Sequence, residues 1–403
     1  MKNKIFISII IFLECSLHIF PIFATDLTSL PVWSDTSNLA IETAADPTFD
    51  IASESGILIE VTTGKVLYDK NSHEQLRPAS VTKLMSILLI MEALDSGKIS
   101  LTDKVPCSEN ASSMGGSQIW LDARETLTVD EMLKAICVVS ANDCTVAMAE
   151  FLAGSEDVFV QLMNDRAKEL NMNDTTFKNC HGIDEEGHVT SANDISIMAR
   201  ELLLNHPLIT NYTTIWMDSL RDGKSQLVNT NKLVRNYQGC TGLKTGSTSL
   251  ALYNLAASAT RDDLSLIAVI LRAPTTKDRF ADAKTLLDYG FTNYNFKRTA
   301  TKGEVVTECN VLKGTDKTLE LVYEKDSGIL IKKSSSADIT QEIVLNENIT
   351  APISENEILG TVHFYLDNEL LDSVNLVAKH EVKKLSFFSM YLYLTGKWFS
   401  LLR

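Results

Sequence analysis

The sequence has no Cys-x-x-Cys pair, no excess of basic residues, no long internal repeat and no extended low-complexity tract. Each absence narrows the field. Without paired cysteines there is no metal-ribbon or thiol-exchange signature. Cys180-His181 with His188 sketches a metal site, but the ligands are too few and the spacing matches no common pattern, so no metal is expected. A net charge of −15 argues against a body that binds nucleic acid. The absence of repeats and biased tracts sets aside solenoid arrays and disordered segments.

What remains is a chain of 403 residues, enough for two or three domains, with the 45% hydrophobic content of a protein with a real core. Residues 1–24 read as an export signal. Lys2 and Lys4 precede the apolar run Ile5 to Leu13, and Ile22-Phe23-Ala24 offers a small residue before Thr25. Glu14 and His18 make that run imperfect, which leaves an uncleaved anchor open. Cys15 follows Glu14, which spoils a lipoprotein reading. Residues 25–48 are polar and patternless and read as a linker. Six cysteines would remain after export. Cys137 and Cys144 sit in apolar helical settings that suit free thiols, and no spacing demands a disulfide.

From residue 49 to 296 the pattern predicts strands around a helical middle. Gly56 to Val61 and Lys65 to Tyr68 flank Thr62-Thr63-Gly64, a hairpin with glycine near the left-handed position. Helices are expected at Met132 to Val139 after the capping sequence Thr128-Val129-Asp130-Glu131, and at Asn142 to Leu152. Two more are expected at Glu156 to Leu170 and Ser191 to Asn205. Ser249 to Ala259 and Leu264 to Leu271 read as strands, and Ala281 to Tyr289 as a closing helix. This predicts an α/β (α+β) sheet domain with an inserted helical part. Residues 297–378 alternate short apolar runs with turn residues and predict a small β-sandwich-like domain. Residues 379–403 carry five basic residues against one acid, Glu381. Their apolar residues crowd one broad helical face, which predicts an amphipathic helix lying on a membrane surface rather than spanning it.

One stretch carries chemistry. Pro78-Ala79-Ser80-Val81-Thr82-Lys83 suits the start of a helix, and the long apolar run from Leu84 to Leu94 follows it. Ser80 and Lys83 are three residues apart, which places a hydroxyl beside an amine that burial would make neutral. Ser-x-x-Lys occurs about once or twice by chance in a chain of this length. Alone, it reads as an N-cap serine and a surface lysine.

Two further motifs change that weight. Ser140-Ala141-Asn142 falls between two expected helices, where its polar groups can face a cleft. The same pattern at Ser108 and at Ser191 lacks that setting. Gly242-Leu243-Lys244-Thr245-Gly246-Ser247-Thr248 stands just ahead of the strand expected at Leu250. There a lysine and a hydroxyl can hold a carboxylate, and glycines let a substrate backbone approach.

Ser-x-x-Lys, Ser-x-Asn and Lys-Thr-Gly in this order resemble the signature of penicillin-binding proteins and serine β-lactamases. Residues 50–295 most resemble the D-alanyl-D-alanine carboxypeptidases, the low-molecular-weight members. Gly115-Gly116-Ser117, Asn179 to Asp184 and Asn229 to Leu233 add to the likeness, as do the β domain and the tail. The resemblance implies a serine enzyme, free of cofactors, that trims peptidoglycan pentapeptide stems and is acylated by β-lactam antibiotics. It implies Ser80 as nucleophile, Lys83 as its base and Ser140 as proton relay. It implies Asn142 on the substrate amide, and Lys244 and Thr245 on the terminal carboxylate. Gly246 would allow close approach, and the backbone N–H groups of Ser80 and Ser247 would hold the oxyanion. His181 and Asp184 are read as structural.

Two departures stand out: Ala141 replaces the usual glycine, and Thr230 lies where some members carry an arginine. The alternatives are a β-lactamase and a non-catalytic sensor or wall-binding protein. A β-lactamase needs a deacylating glutamate. Glu201-Leu202-Leu203-Leu204-Asn205 offers the right letters, but inside an amphipathic helix. The export signal and tail place the protein on the outer face of the cytoplasmic membrane.

Overall fold

The computed structural model describes residues 49–334, 339–366, 368–387 and 391. The export segment, the linker and the tail from 388 on, Tyr391 apart, lie outside the described residues.

Five strands form one antiparallel sheet: β1 (Ser55–Glu60), β2 (Val66–Lys70), β3 (Cys240–Thr248), β4 (Leu252–Arg261) and β5 (Leu264–Ala273). Their order is β2-β1-β5-β4-β3. The hairpin at Gly64, with φ of +73°, closes β1 onto β2. β1 then pairs with β5 from Ser55↔Leu271 to Glu60↔Leu266, so residues far apart in sequence share the sheet's centre. All six residues of β1 are buried, because both faces of the sheet are covered.

The strand period of two sorts the core. Ile57, Ile59, Ile267, Val269 and Leu271 pack against the helical insert. Leu58, Leu266, Ala268 and Ile270 pack against Leu286 and Leu287 on the opposite face. The insert supplies helices α1 (Lys83–Asp95), α2 (Val129–Val138), α3 (Asn142–Ala153), α4 (Glu156–Glu169) and α5 (Ala192–Asn205). The far face is covered by α6 (Thr276–Asn293).

The capping signals act as read. Thr128 and Glu131 form a reciprocal capping box on α2, and the Ser191 hydroxyl accepts from the Asp194 N–H at the start of α5. α6 starts five residues before the expected Ala281, because Thr275 caps a polar first turn that the apolar pattern does not reveal. A short hairpin, Met217–Leu220 with Ser225–Val228, has no counterpart in the sequence reading.

Beyond α6 the chain is β-rich, as the alternation predicted. Tyr294–Ala300 pairs with Ser327–Lys332. Five more strands form a sheet ordered Val305–Asn310, Thr318–Tyr323, Glu369–Ala378, Ile358–Leu366 and Ile339–Leu345. Leu319, Leu321, Val362, Phe364, Val374 and Leu376 fill its core.

Candidate active site

The chain reaches the site at Pro78. Ala79–Thr82 form a tight 3₁₀ turn, and the α-helix begins only at Lys83. The sequence placed one continuous helix here. The tighter turn begins at Ala79, whose φ of +48° no regular helix accommodates. In such a turn side chains three apart eclipse one another. Lys83 Nζ therefore lies 3.1 Å from Ser80 Oγ.

Lys83 is fully buried. Its Nζ also donates to Asn142 Oδ1 and to the His181 carbonyl, both at 2.6 Å. Burial, with the nearby Lys244 adding to it, holds its pKa well below the ordinary value. A neutral amine has two hydrogens and one lone pair. The two carbonyl-type oxygens take the hydrogens, which leaves the lone pair for the Ser80 hydroxyl.

Ser140 and Asn142 occupy the junction of α2 and α3. Ser140 has a φ of +65°, an expensive backbone position for a residue with a side chain, and is 4% exposed. Its Oγ is buried without a hydrogen-bond partner. A strained serine with an orphaned hydroxyl marks a place built for something other than stability. Asn142 is a strut: besides accepting from Lys83, it donates from Nδ2 to the Gly115 carbonyl at 2.7 Å. Its backbone N–H donates to the Ser117 carbonyl, also at 2.7 Å.

Lys244, Thr245 and Gly246 lie inside β3, not ahead of the strand at Leu250 as read from the sequence. Ser249 and Leu250 are instead part of the turn into β4. The error has a cause: a polar edge strand facing a cleft lacks the apolar alternation that identifies strands. Lys244 is 1% exposed. Burial, with the Arg279 guanidinium adding to it, brings its pKa down to about 7. The Thr245 hydroxyl donates to Thr230 Oγ1 at 2.7 Å, so the residue standing where some relatives have arginine still joins the site. A Cβ on Gly246 would lie 2.8 Å from the Pro78 carbonyl and 2.9 Å from the Ser80 N. Its missing side chain thus admits the serine turn, not only an incoming substrate. The same closeness brings the Ser80 amide next to β3, whose Ser247 is exposed.

Several contributors escaped the sequence reading. The His181 carbonyl fixes Lys83 through a backbone atom, which no motif advertises. A Cβ on Gly182 would collide with the Ala79 carbonyl. Arg279 of α6 donates to the Gly246 and Asn254 carbonyls at 3.2 Å, and so braces β3 from behind. A basic residue at spacing typical of a solvated helix gave no hint of this.

The His181 ring, pushed by burial down to about 3, is neutral. Asp184 lies 3.9 Å from Arg77. His188 spends both ring nitrogens, one on Thr82 and one on the Lys178 N–H. Glu201 of α5 pairs with Arg166 of α4 at 2.9 Å and makes no bond to the serine or either lysine. The six cysteines from Cys107 to Cys309 are free.

Residues 40–275 match the family described as D-alanyl-D-alanine carboxypeptidase, peptidase S11. Residues 294–384 match the C-terminal domain of penicillin-binding protein 5. The chain is 47% identical over 350 residues to the D-alanyl-D-alanine carboxypeptidase DacF of Bacillus subtilis (strain 168), covering 86% of this chain and 90% of that one. Among solved structures, penicillin-binding protein 5 of Haemophilus influenzae superposes with a TM-score of 0.70 at 30% identity, over 83% of this chain and 99% of its own. Penicillin-binding protein D2 of Listeria monocytogenes, solved in its ampicillin-bound form, matches with a TM-score of 0.56 at 29% identity. That match covers 61% of this chain and 100% of the other. Carrying the serine turn, the strained Ser140 and the buried lysines on that shared framework, the chain belongs to the D-alanyl-D-alanine carboxypeptidase family.

Proposed function

We propose that this enzyme removes the terminal D-alanine from peptidoglycan pentapeptide stems through an acyl-enzyme on Ser80. The observation that carries the reading is the fully buried Lys83, its Nζ 3.1 Å from Ser80 Oγ and its pKa pushed well below the ordinary value by burial. Lys83 takes the hydroxyl proton as Oγ attacks the carbonyl carbon between the last two D-alanines. Backbone N–H groups of Ser80 and Ser247 hold the oxyanion. Collapse breaks the C–N bond, and the leaving nitrogen takes its proton through the Ser140 hydroxyl. Water then attacks the ester, releasing the tetrapeptide and restoring Ser80.

Lys244, Thr245 and Thr230 receive the terminal carboxylate, while Asn142 and the glycine-backed edge of β3 hold the stem. A bound carboxylate would pull the Lys244 pKa back up, so substrate itself completes the charge it needs. β-Lactams acylate the same serine, a reading supported by the ampicillin-bound Listeria relative. The pairing of Glu201 with Arg166 gives no support to fast deacylation of the β-lactamase kind.

The export signal and the basic, apolar tail support a place on the outer face of the cytoplasmic membrane. Among the described residues no helix is long and apolar enough to cross a membrane. Labelled penicillin and a D-Ala-D-Ala pentapeptide test the chemistry. Both labelling and D-alanine release are expected to vanish in Ser80→Ala, and labelling that persists there would overturn the assignment. A chain ending at Leu385, which keeps Val382 in the β-rich core and the Lys384 bridge, should lose binding to anionic vesicles that the full chain shows; equal partitioning of the two would refute the anchor.

A further inference from the structure

A cavity of about 580 Å³ opens beside the site, walled by Gln118, Trp120, Val139 and Val228. Three of these walls adjoin site residues along the chain or through a hydrogen bond. Val139 precedes Ser140. Gln118 follows Ser117, whose carbonyl accepts from the Asn142 N–H. Val228 leads through Asn229 to Thr230, which is bonded to Thr245.

Trp120 is the unusual feature. It is 75% exposed, and its φ of +55° is a genuine outlier for so bulky a residue. The loop is clamped in that form by two charges. Asp143, fully buried, accepts the N–H groups of Ile119 and Leu121, both at 3.1 Å. Arg221 donates to the Ile119 and Trp120 carbonyls, to Ser225 Oγ and twice to Glu125. That uses all five of its N–H donors. The guanidinium that lines the cavity is therefore committed to presenting the indole and has none left for an anionic ligand. Among the described residues the Gln118 side chain makes no hydrogen bond and the Gln226 amide donates to the Gly223 carbonyl. The cavity thus offers an aromatic face rimmed by the Gln118 and Gln226 amides and the Lys224 ammonium, donors and acceptors for a ligand rich in hydroxyl and carbonyl oxygens. A hexose that carries acetamido groups presents the complement: an apolar face of C–H groups and a rim of hydroxyls and amides.

We infer that the Trp120 cavity is a subsite for an N-acetylated hexose of the glycan strands. This rests on the carboxypeptidase reading, which places the stem's terminal carboxylate at Thr230 and Thr245. The subsite makes the enzyme a reader of polymer rather than of isolated stems.

The test compares kcat/KM per stem on uncross-linked glycan strands bearing pentapeptides with kcat/KM on the free pentapeptide, using the full chain. The wild-type ratio is expected to be about fivefold to tenfold, and Trp120→Ala and Gln118→Ala should each pull it toward one. Trp120→Phe should retain part of it. Separately, protein acylated by penicillin is titrated with tetra-N-acetylchitotetraose. Tryptophan fluorescence should change in the wild type and not in Trp120→Ala. A ratio of one in the wild type, or a ratio above one that neither variant moves, overturns the subsite. A fluorescence response to stem peptides but not to the saccharide overturns its sugar class. Failure to release D-alanine from the free pentapeptide would instead sink the carboxypeptidase reading, while the acylated-protein titration would still judge the cavity.

Discussion

The two regions of this molecule treat buried polarity in opposite ways. Between residues 49 and 293 the interior holds Lys83, Asp143, Lys244, Arg279 and Asp282, along with a score of buried hydroxyls, amides and imidazoles. From Tyr294 onward no charged, amide or imidazole side chain among the described residues is buried; the core is Leu, Val, Ile, Phe, Tyr, Ala and a single cysteine, with the Thr299 hydroxyl oxygen the one buried side-chain polar atom without a hydrogen-bond partner. Apolar burial is the ordinary route to stability, and a buried charge is costly unless it is paired. Lys83 and Lys244 have no carboxylate partner among their bonds. The difference teaches which half was shaped by chemistry and which by packing alone.

Four substitutions would break or sharpen that contrast. The largest effect is expected from Lys83→Arg, which stays charged and cannot accept the Ser80 proton. Penicillin acylation should fall by about 10³-fold with circular dichroism unchanged. Ser140→Ala comes next. It removes an orphaned hydroxyl and some backbone strain is kept, so stability should hold while D-alanine release falls roughly 10²-fold. The opposite pattern is expected of Leu376→Ala in the second region. It should cost about 2–5 kcal/mol in denaturant unfolding of the β-rich part and leave the acylation rate on soluble penicillin intact.

The smallest and sharpest case is Lys244→Met. The folded pKa of Lys244, about 7, lies below its ordinary 10.5, so folding disfavours the charged form. That stability cost is full below about pH 7 and fades as pH rises toward 10.5. The variant should therefore melt about 2–4 °C higher near neutral pH, flatten the pH dependence of stability across that window, and weaken recognition of the carboxylate. In the wild type, KM for a carboxylate substrate should rise as pH climbs past about 7 and Lys244 loses its proton.

What could be read from the sequence follows the same divide. Ser80, Lys83, Ser140, Asn142 and Lys244 stood out because the proposed chemistry calls for those side chains at those spacings, and the structure puts Lys83 against Ser80 and Asn142. The helices were legible from their caps and the core strands from their apolar runs. Three things were not. The His181 carbonyl acts through the backbone, which every residue carries. Lys244-Thr245-Gly246 hides its strand because a cleft edge has no apolar face. Arg279 looks like a surface residue until the fold turns it under β3.

The glycines that press on the serine turn set a boundary for drug escape. Gly182 meets it on one side and Gly246 on the other, and a Cβ at either would run into the Ala79 carbonyl or the Ser80 amide. An enzyme cannot evade a covalent inhibitor by thickening walls that already touch the Ser80 turn. Resistance that spares cell-wall trimming must therefore arise farther out, in how long the acyl-enzyme lasts or in which ligands reach the cleft. The serine turn itself is closed to that kind of change.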